Sequence, residues 1–161
     1  MVLIRPGTRV DAEPALDVWR VSYLAERGVP EVDAAHAERV RDFLRDRDSF
    51  LIVAEEDGPL VGMAVGMQGR AEDGTGPPVP GLMHLKMLFV LPDHWGQGLG
   101  GVLVDVVLDE SRIREYDHAE AWAHTTNVRA KRLYDRKGFL PTGRERPDLA
   151  GDLITQFTRL L

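Results

Sequence analysis

Cysteine is absent from this 161-residue chain. That excludes disulfides, thiol nucleophiles and thiolate metal sites, and it agrees with a cytoplasmic, reducing setting. No apolar run is long enough to span a bilayer, and Met1-Val2-Leu3-Ile4-Arg5-Pro6 lacks the pattern of a signal peptide. Positive charge is not in excess either: 20 Lys and Arg stand against 26 Asp and Glu, for a formal net charge of -6. This balance argues against nucleic-acid binding and permits long-range steering of cationic partners such as amines. The five histidines show no metal-ligand spacing, so no metal is expected. What remains, 43% apolar and 29% charged residues, is ordinary for a globular protein and sufficient for one domain over residues 1–161.

The informative stretch is Leu88-Phe89-Val90-Leu91-Pro92-Asp93-His94-Trp95-Gly96-Gln97-Gly98-Leu99-Gly100-Gly101. An apolar strand pattern stops at Pro92, a glycine cluster follows, and an amphipathic helix pattern begins at Leu99. Such a turn presents backbone N–H groups at the positive end of a helix dipole, where phosphate oxygens bind. Glycines keep Cβ atoms from holding the phosphates away. The Gly-Lys-Ser/Thr sequence of nucleoside triphosphatase loops is missing. The dinucleotide fingerprint is matched literally by Gly96, Gly98 and Gly101, but Pro92–Trp95 separate it from its strand, and few residues remain for further βαβ units.

A third kind of glycine loop fits better. Val90-Leu91-Pro92 followed by Trp95-Gly96-Gln97-Gly98-Leu99-Gly100 resembles the coenzyme A pyrophosphate loop of the GNAT superfamily of N-acetyltransferases, Gln/Arg-x-x-Gly-x-Gly/Ala after a strand ending in Val-x-Pro. Trp95 departs from the Arg or Gln usual at the first position. A second block, from Asn127-Val128-Arg129-Ala130 through Tyr134 to Gly138-Phe139, is similar to the superfamily's Asn-x-x-Ala-x-x-x-Tyr…Gly-Phe pattern. The resemblance runs from about Gly81 to Phe139.

Hydrophobic periodicity predicts strands over Val2–Arg5, Ser49–Glu55, Leu60–Met67 and His84–Val90, a strand over Glu120–Thr126, and two closing strands after the last helix, the second over Leu153–Arg159. It predicts helices over Glu13–Glu26, Val32–Arg47, Leu99–Tyr116 and from Asn127 onward. Ala35, Val40, Phe43 and Leu44 are expected inward on the second helix, and Leu99, Val102, Leu103, Val106 and Val107 on the third. Gln68–Gly81, rich in Gly and Pro, reads as a long exposed loop. The order β-α-α-β-β-β-α-β-α-β-β agrees with the resemblance. It implies an α/β (α+β) fold, a single GNAT-like domain whose mixed, strongly twisted sheet of about six or seven strands is flanked by four helices. The resemblance adds that the middle strands splay to admit a pantetheine arm.

Acetyl transfer to an amine requires removal of the amine proton, polarisation of the thioester carbonyl, and protonation or stabilisation of the departing thiolate. Tyr134 suits the last task, since a phenol keeps its proton at neutral pH, and the resemblance places a general acid there; packing between helix and sheet is the alternative. The base is His84 or a water chain; some relatives put a Glu or His at the corresponding strand position, and a strand-end histidine bonded to the nearby loop is the alternative. Lys86, on the same strand face, lines the pocket or pairs with an acid. The resemblance implies that backbone N–H groups at Leu88, Phe89 and Val90 bind the pantetheine and thioester, that Trp95, Gly96, Gln97, Gly98, Leu99, Gly100 and Gly101 hold the pyrophosphate, and that Asn127 and Ala130 meet the cofactor. Asn127 is also a favoured helix N-cap. Trp19 and Tyr23 are candidates for the acceptor pocket.

Together these features imply an acetyl-CoA-dependent N-acetyltransferase acting by direct attack of a primary amine, without a metal. The acceptor is a small molecule or, as a variant, a peptide or protein amine. No nucleic-acid or membrane partner is expected, and a homodimer is implied only at the level of the superfamily. The rivals are a non-catalytic acyl-CoA-binding module and a dinucleotide-binding oxidoreductase.

Overall fold

A computed structural model describes residues 1–161. Seven strands and four helices follow the expected order: β1 (Val2–Pro6), α1 (Ala12–Arg27), α2 (Ala34–Arg45), β2 (Ser49–Glu56), β3 (Leu60–Arg70), β4 (Pro78–Val90), α3 (Leu99–Ile113), β5 (His118–His124), α4 (Val128–Arg136), β6 (Leu140–Pro147) and β7 (Leu153–Leu160). The strands form one mixed sheet in the order β1-β2-β3-β4-β5-β7-β6. The parallel β4–β5 ladder covers Leu82–Leu85 against His118–Ala121 and stops there. No helix is long and apolar enough to cross a membrane.

The chain divides into two compact units, Met1–Met67 with Lys86–Val107, and Gln68–Leu85 with Leu108–Leu161. In the first, α1 and α2 bury Ala15, Leu16, Trp19, Val40 and Leu44 against Val53, Met63, Val65 and Met87. Val53, Met63 and Val65 point to that face by strand alternation. The opposite face meets α3, where Leu103 lies 3.1 Å from the position a Cβ on Gly62 would take. Arg5 ties β1 to this unit by gripping Asp11 at 2.8 and 3.0 Å and Glu55 at 3.1 Å.

In the second unit, Ala119, Ala121 and Ala123 are buried on one face of β5. Phe157, the register partner of Ala121, stacks at 5.6 Å on Tyr134 of α4, so α4 covers this face. The alternate residues His118, Glu120, Trp122 and His124 take the other face and are half-buried.

Three expectations are corrected. Gln68–Gly81 is not a long loop: β3 runs to Arg70 and β4 starts at Pro78. Gln68 Nε2 holds the hairpin by donating to the carbonyls of Gly69, Val79 and Leu82 at 2.7, 2.7 and 3.3 Å. Ala35 is exposed on α2, and His36 and Ala37 take the inward side. Val102 is 45% exposed, and Val104 and Leu108 join Leu103 and Val107 in the interior instead.

Candidate active site

The glycine turn ends β4 and starts α3. Gly96 and Gly98 have φ of +78° and +81°, a region that L side chains avoid. No atom lies within 4 Å of the Cβ that either would carry. These glycines are therefore set by backbone conformation and leave open space over the turn. Gly96, Gln97 and Gly98 are exposed, Leu99 is buried, and Gly100 and Gly101 lie half-buried in the first turn of α3. That helix has 15 residues, and the N–H groups of its first turn have no intrahelical acceptor.

Trp95 does not project as a substitute for the missing Arg or Gln. Its indole Nε1 donates back to the Val90 carbonyl at 2.7 Å, and Ser22 Oγ donates to the same oxygen at 3.0 Å. Trp95 and Ser22 thereby fix the end of β4. His94 Nε2 bonds Glu56 on β2, anchoring the turn from its other side and holding the Glu56 carboxyl below its ordinary range. Leu88 and Phe89 are half-buried and Val90 is buried at the strand end.

His84, on β4, lies beside its register partner Glu120 on β5. Its Nδ1 is 3.1 Å from Glu120 Oε1. Gln156 Nε2 donates to Glu120 Oε2 at 3.0 Å, and Thr142 Oγ1 donates to Gln156 Oε1 at 2.9 Å. Burial pushes the Glu120 carboxyl up, yet the hydrogen bonds from His84 and Gln156 and the charge of Arg144 outweigh it and hold the group below its ordinary range. An ionised carboxylate accepts only, so the facing Nδ1 carries the proton. In the neutral ring the second nitrogen, Nε2, carries the lone pair. Glu120 was not singled out from the sequence, because its pairing with His84 depends on a β4–β5 register that periodicity does not supply.

Tyr134 is buried, with Phe139 and Phe157 at ring-centroid distances of 5.5 and 5.6 Å. The packing role is real, and it immobilises the ring that carries the hydroxyl. Asn127 caps α4, its side chain accepting from Ala130 N–H at 3.0 Å. Lys86 is exposed, with Nζ 4.3 Å over the Phe43 ring. Trp19 is only 2% exposed. It is a core residue rather than a pocket wall, because the helix face that carries it is the one sealed against β2 and β3. Tyr23 is half-buried and packs on Trp19 at 5.5 Å and on His36 at 5.2 Å.

One histidine that showed no metal-ligand spacing in the sequence lies beside two acids in the fold. His124, Asp148 and Asp152 bring one ligand atom each within 4.8 Å of one another. The turn itself accounts for this, since Asp148 accepts from His124 Nε2 at 2.8 Å and from the amides of Ala150 and Asp152 at 2.9 Å each.

A strand, an open glycine turn and a helix, followed by an Asn-capped helix with a buried Tyr, repeat the two blocks of the resemblance in three dimensions. The Acetyltransferase (GNAT) family profile matches residues 14–139. The chain belongs to the GNAT acetyltransferase family. It is accordingly an acyltransferase. An uncharacterised N-acetyltransferase of Archaeoglobus fulgidus is 31% identical over 137 residues, which cover 78% of this chain and 86% of that one. A mycothiol acetyltransferase of Acidothermus cellulolyticus is 32% identical over 143 residues, covering 84% of this chain but 42% of its own length. The GNAT fold is matched by the solved yncA structure of Salmonella typhimurium with acetyl-CoA, at a TM-score of 0.78 and 21% identity, covering 100% of this chain and 94% of that one.

Proposed function

We infer that this GNAT protein transfers the acetyl group of acetyl-CoA to a primary amine of a small molecule. The observation that carries this reading is the open turn at Gly96 and Gly98 leading into α3. A diphosphate needs N–H donors, a positive dipole and the absence of Cβ atoms, and the turn supplies all three. That the yncA structure holds acetyl-CoA supports the choice of acyl donor. The mycothiol acetyltransferase relative supports a small acceptor.

The transfer is a direct displacement. The neutral amine nitrogen attacks the thioester carbonyl carbon, the carbon–sulfur bond breaks, and an acetamide and free coenzyme A result. No cysteine is present to carry the acetyl group. His84 Nε2 takes the amine proton, and Glu120 holds the ring in the tautomer that makes this nitrogen basic. Tyr134 donates its phenolic proton to the departing sulfur. Backbone N–H groups near Leu88–Val90 polarise the carbonyl. Lys86 and Tyr23 line the acceptor side.

The test combines calorimetry with turnover. Acetyl-CoA titrated into the protein should bind with a one-to-one stoichiometry, and thiol release should appear over a broad panel of primary amines. Binding without release for any amine would replace this reading by that of an acyl-CoA-binding module. Heat of association with NAD and none with acetyl-CoA would replace it by the oxidoreductase reading.

A further inference from the structure

The polar face of the second unit carries a group of side chains that the transfer chemistry leaves unused. Trp122 is two residues from Glu120 on β5, so their side chains emerge on one face about 7 Å apart. Its register partner is Gln156, the residue that holds Glu120. On this indole lie two guanidinium groups from β6: Arg146 at 4.6 Å from the ring centroid and Arg144 at 5.5 Å. Stacking on an indole fixes the plane of a guanidinium and readies its donors for a planar partner.

Asp73 contacts both arginines, and Glu120 lies within reach of the charge of Arg144. Asp73 Oδ1 accepts from Arg144 Nη2 at 2.9 Å and lies 3.7 Å from Arg146 Nε. That Nε is buried and makes no hydrogen bond. A buried donor without an acceptor is costly and uncommon. Asp73 sits at the tip of the β3–β4 hairpin with φ of +55°, next to Glu72 with φ of +52°. Neither is glycine, so the tip is held in a disfavoured backbone region.

We propose that Arg144, Arg146 and Trp122 form the recognition site for a carboxylate on the acceptor, and that Asp73 occupies this site as an internal substitute until the acceptor arrives. The acceptor is then an amine that carries a carboxylate roughly one two-residue strand step, about 7 Å, from the nitrogen. Its amine meets His84, its carboxylate takes the two guanidinium forks, and the free Arg146 Nε gains its missing acceptor. The inference rests on the N-acetyltransferase reading for the role of His84, but the anion site stands on the arginines, the indole and Asp73 alone.

Matched probes test it. 5-Aminopentanoate, pentylamine and 4-aminobutylphosphonate share a primary amine and differ in the distal group. The wild-type protein should acetylate 5-aminopentanoate with a kcat/KM about tenfold or more above pentylamine, the scale of a charge-assisted bidentate contact. Arg146→Leu and Arg144→Leu should each reduce that ratio toward one, and Arg146→Leu should leave pentylamine within about twofold of wild type. Asp73→Asn should raise kcat/KM for 5-aminopentanoate by about threefold or more, because the competing carboxylate is weakened. Equal rates for the carboxylate and pentylamine in the wild type, a ratio retained in both arginine variants, or a preference for the phosphonate would overturn the carboxylate assignment. A loss of activity in Asp73→Asn would overturn the role given to Asp73.

Calorimetric titration of 5-aminopentanoate into protein saturated with coenzyme A separates the two readings. Binding that disappears in Arg146→Leu, in a protein that turns over no amine, upholds the anion site and ends the transferase reading. Acetylation of 5-aminopentanoate and pentylamine at equal rates ends the anion site and leaves the transferase reading intact. Neither binding nor turnover ends both.

Discussion

At the scale of single residues, the proposed chemistry separates cleanly from packing at Tyr134 and Glu120. Tyr134 lies among Phe139 and Phe157, so Tyr134→Phe keeps the aromatic cluster and removes only the hydroxyl. The expected outcome is a fall in kcat of about 100-fold, the usual scale of general-acid catalysis, with the melting temperature within about 2 °C of wild type. Unchanged kcat would reduce Tyr134 to its packing role. Glu120→Gln is the complementary case. The amide preserves shape but can present its N–H toward Nδ1, which favours the wrong tautomer of His84. Turnover should fall by about 10- to 100-fold. Unchanged turnover would make Glu120 a purely structural partner.

At the scale of elements, the strand–turn–helix from β4 to α3 is the part most legible in the sequence. Pro92, the glycine cluster and the apolar period after Leu99 each act locally, and local signals survive folding. The Asn127 cap was legible for the same reason, and its bond to the Ala130 N–H is present. The β3–β4 hairpin was misread because a glycine can mark a close approach as well as a turn. A Cβ on Gly69 would stand 2.3 Å from Leu82 Cγ, and one on Gly66 2.3 Å from a ring carbon of Phe50. Both glycines are strand residues crowded by a neighbour, and only the fold supplies that neighbour. Val102 was misplaced because helical periodicity fixes an apolar stripe but not its centre, and the stripe of α3 centres on Leu103, Val104 and Val107. Trp19 and Tyr23 share a stripe in the sequence, yet Trp19 lies in the core with Val53, Met63 and Val65 while Tyr23 is packed at its edge. The glycine turn gives the prediction proper to this scale. Gly98→Ala adds a methyl where no atom lies within 4 Å, so its cost is conformational. A non-glycine residue in the left-handed region costs about 1–2 kcal/mol, and the turn should relax away from φ of +81°. Acetyl-CoA affinity measured by calorimetry should weaken by about tenfold or more, while the melting temperature falls by only a few degrees. Affinity unchanged in both Gly98→Ala and Gly96→Ala would mean that the diphosphate is held elsewhere.

Across the whole molecule, stability should depend on pH in two separable steps, and the sign of each follows from its group. Burial, aided by the charge of Arg39, holds the His36 ring below its ordinary value of 6.5, packed as it is on Trp19 at 5.1 Å and Tyr23 at 5.2 Å. The unfolded chain therefore binds the proton more readily than the folded one. The stability contributed by neutral His36 is complete above pH 6.5 and drains as pH falls below it. The carboxylates act lower. Asp11 is held below its ordinary 3.8 by the Arg5 guanidinium and the Thr8 amide against the opposing effect of burial. In Glu120 and Asp148 burial is the largest influence and pushes upward, but hydrogen bonds led by His84 and His124 prevail. Their contribution is present above the ordinary carboxylate range and is lost as pH falls through the depressed values. Melting temperature plotted against pH should be flat above neutrality, fall gently from pH 6.5 downward, and fall steeply below the ordinary carboxylate range. His36→Phe keeps a ring against Trp19 and Tyr23 and cannot titrate, so it should abolish the gentle step and leave the steep one. Asp11→Asn strips the charge from a buried acid gripped by Arg5 at two positions and should lower stability at pH 7 by about 1–3 kcal/mol, with a shallower acid limb. If His36→Phe retained the decline between pH 6.5 and 5, the burial of that ring would not be the source of the first step.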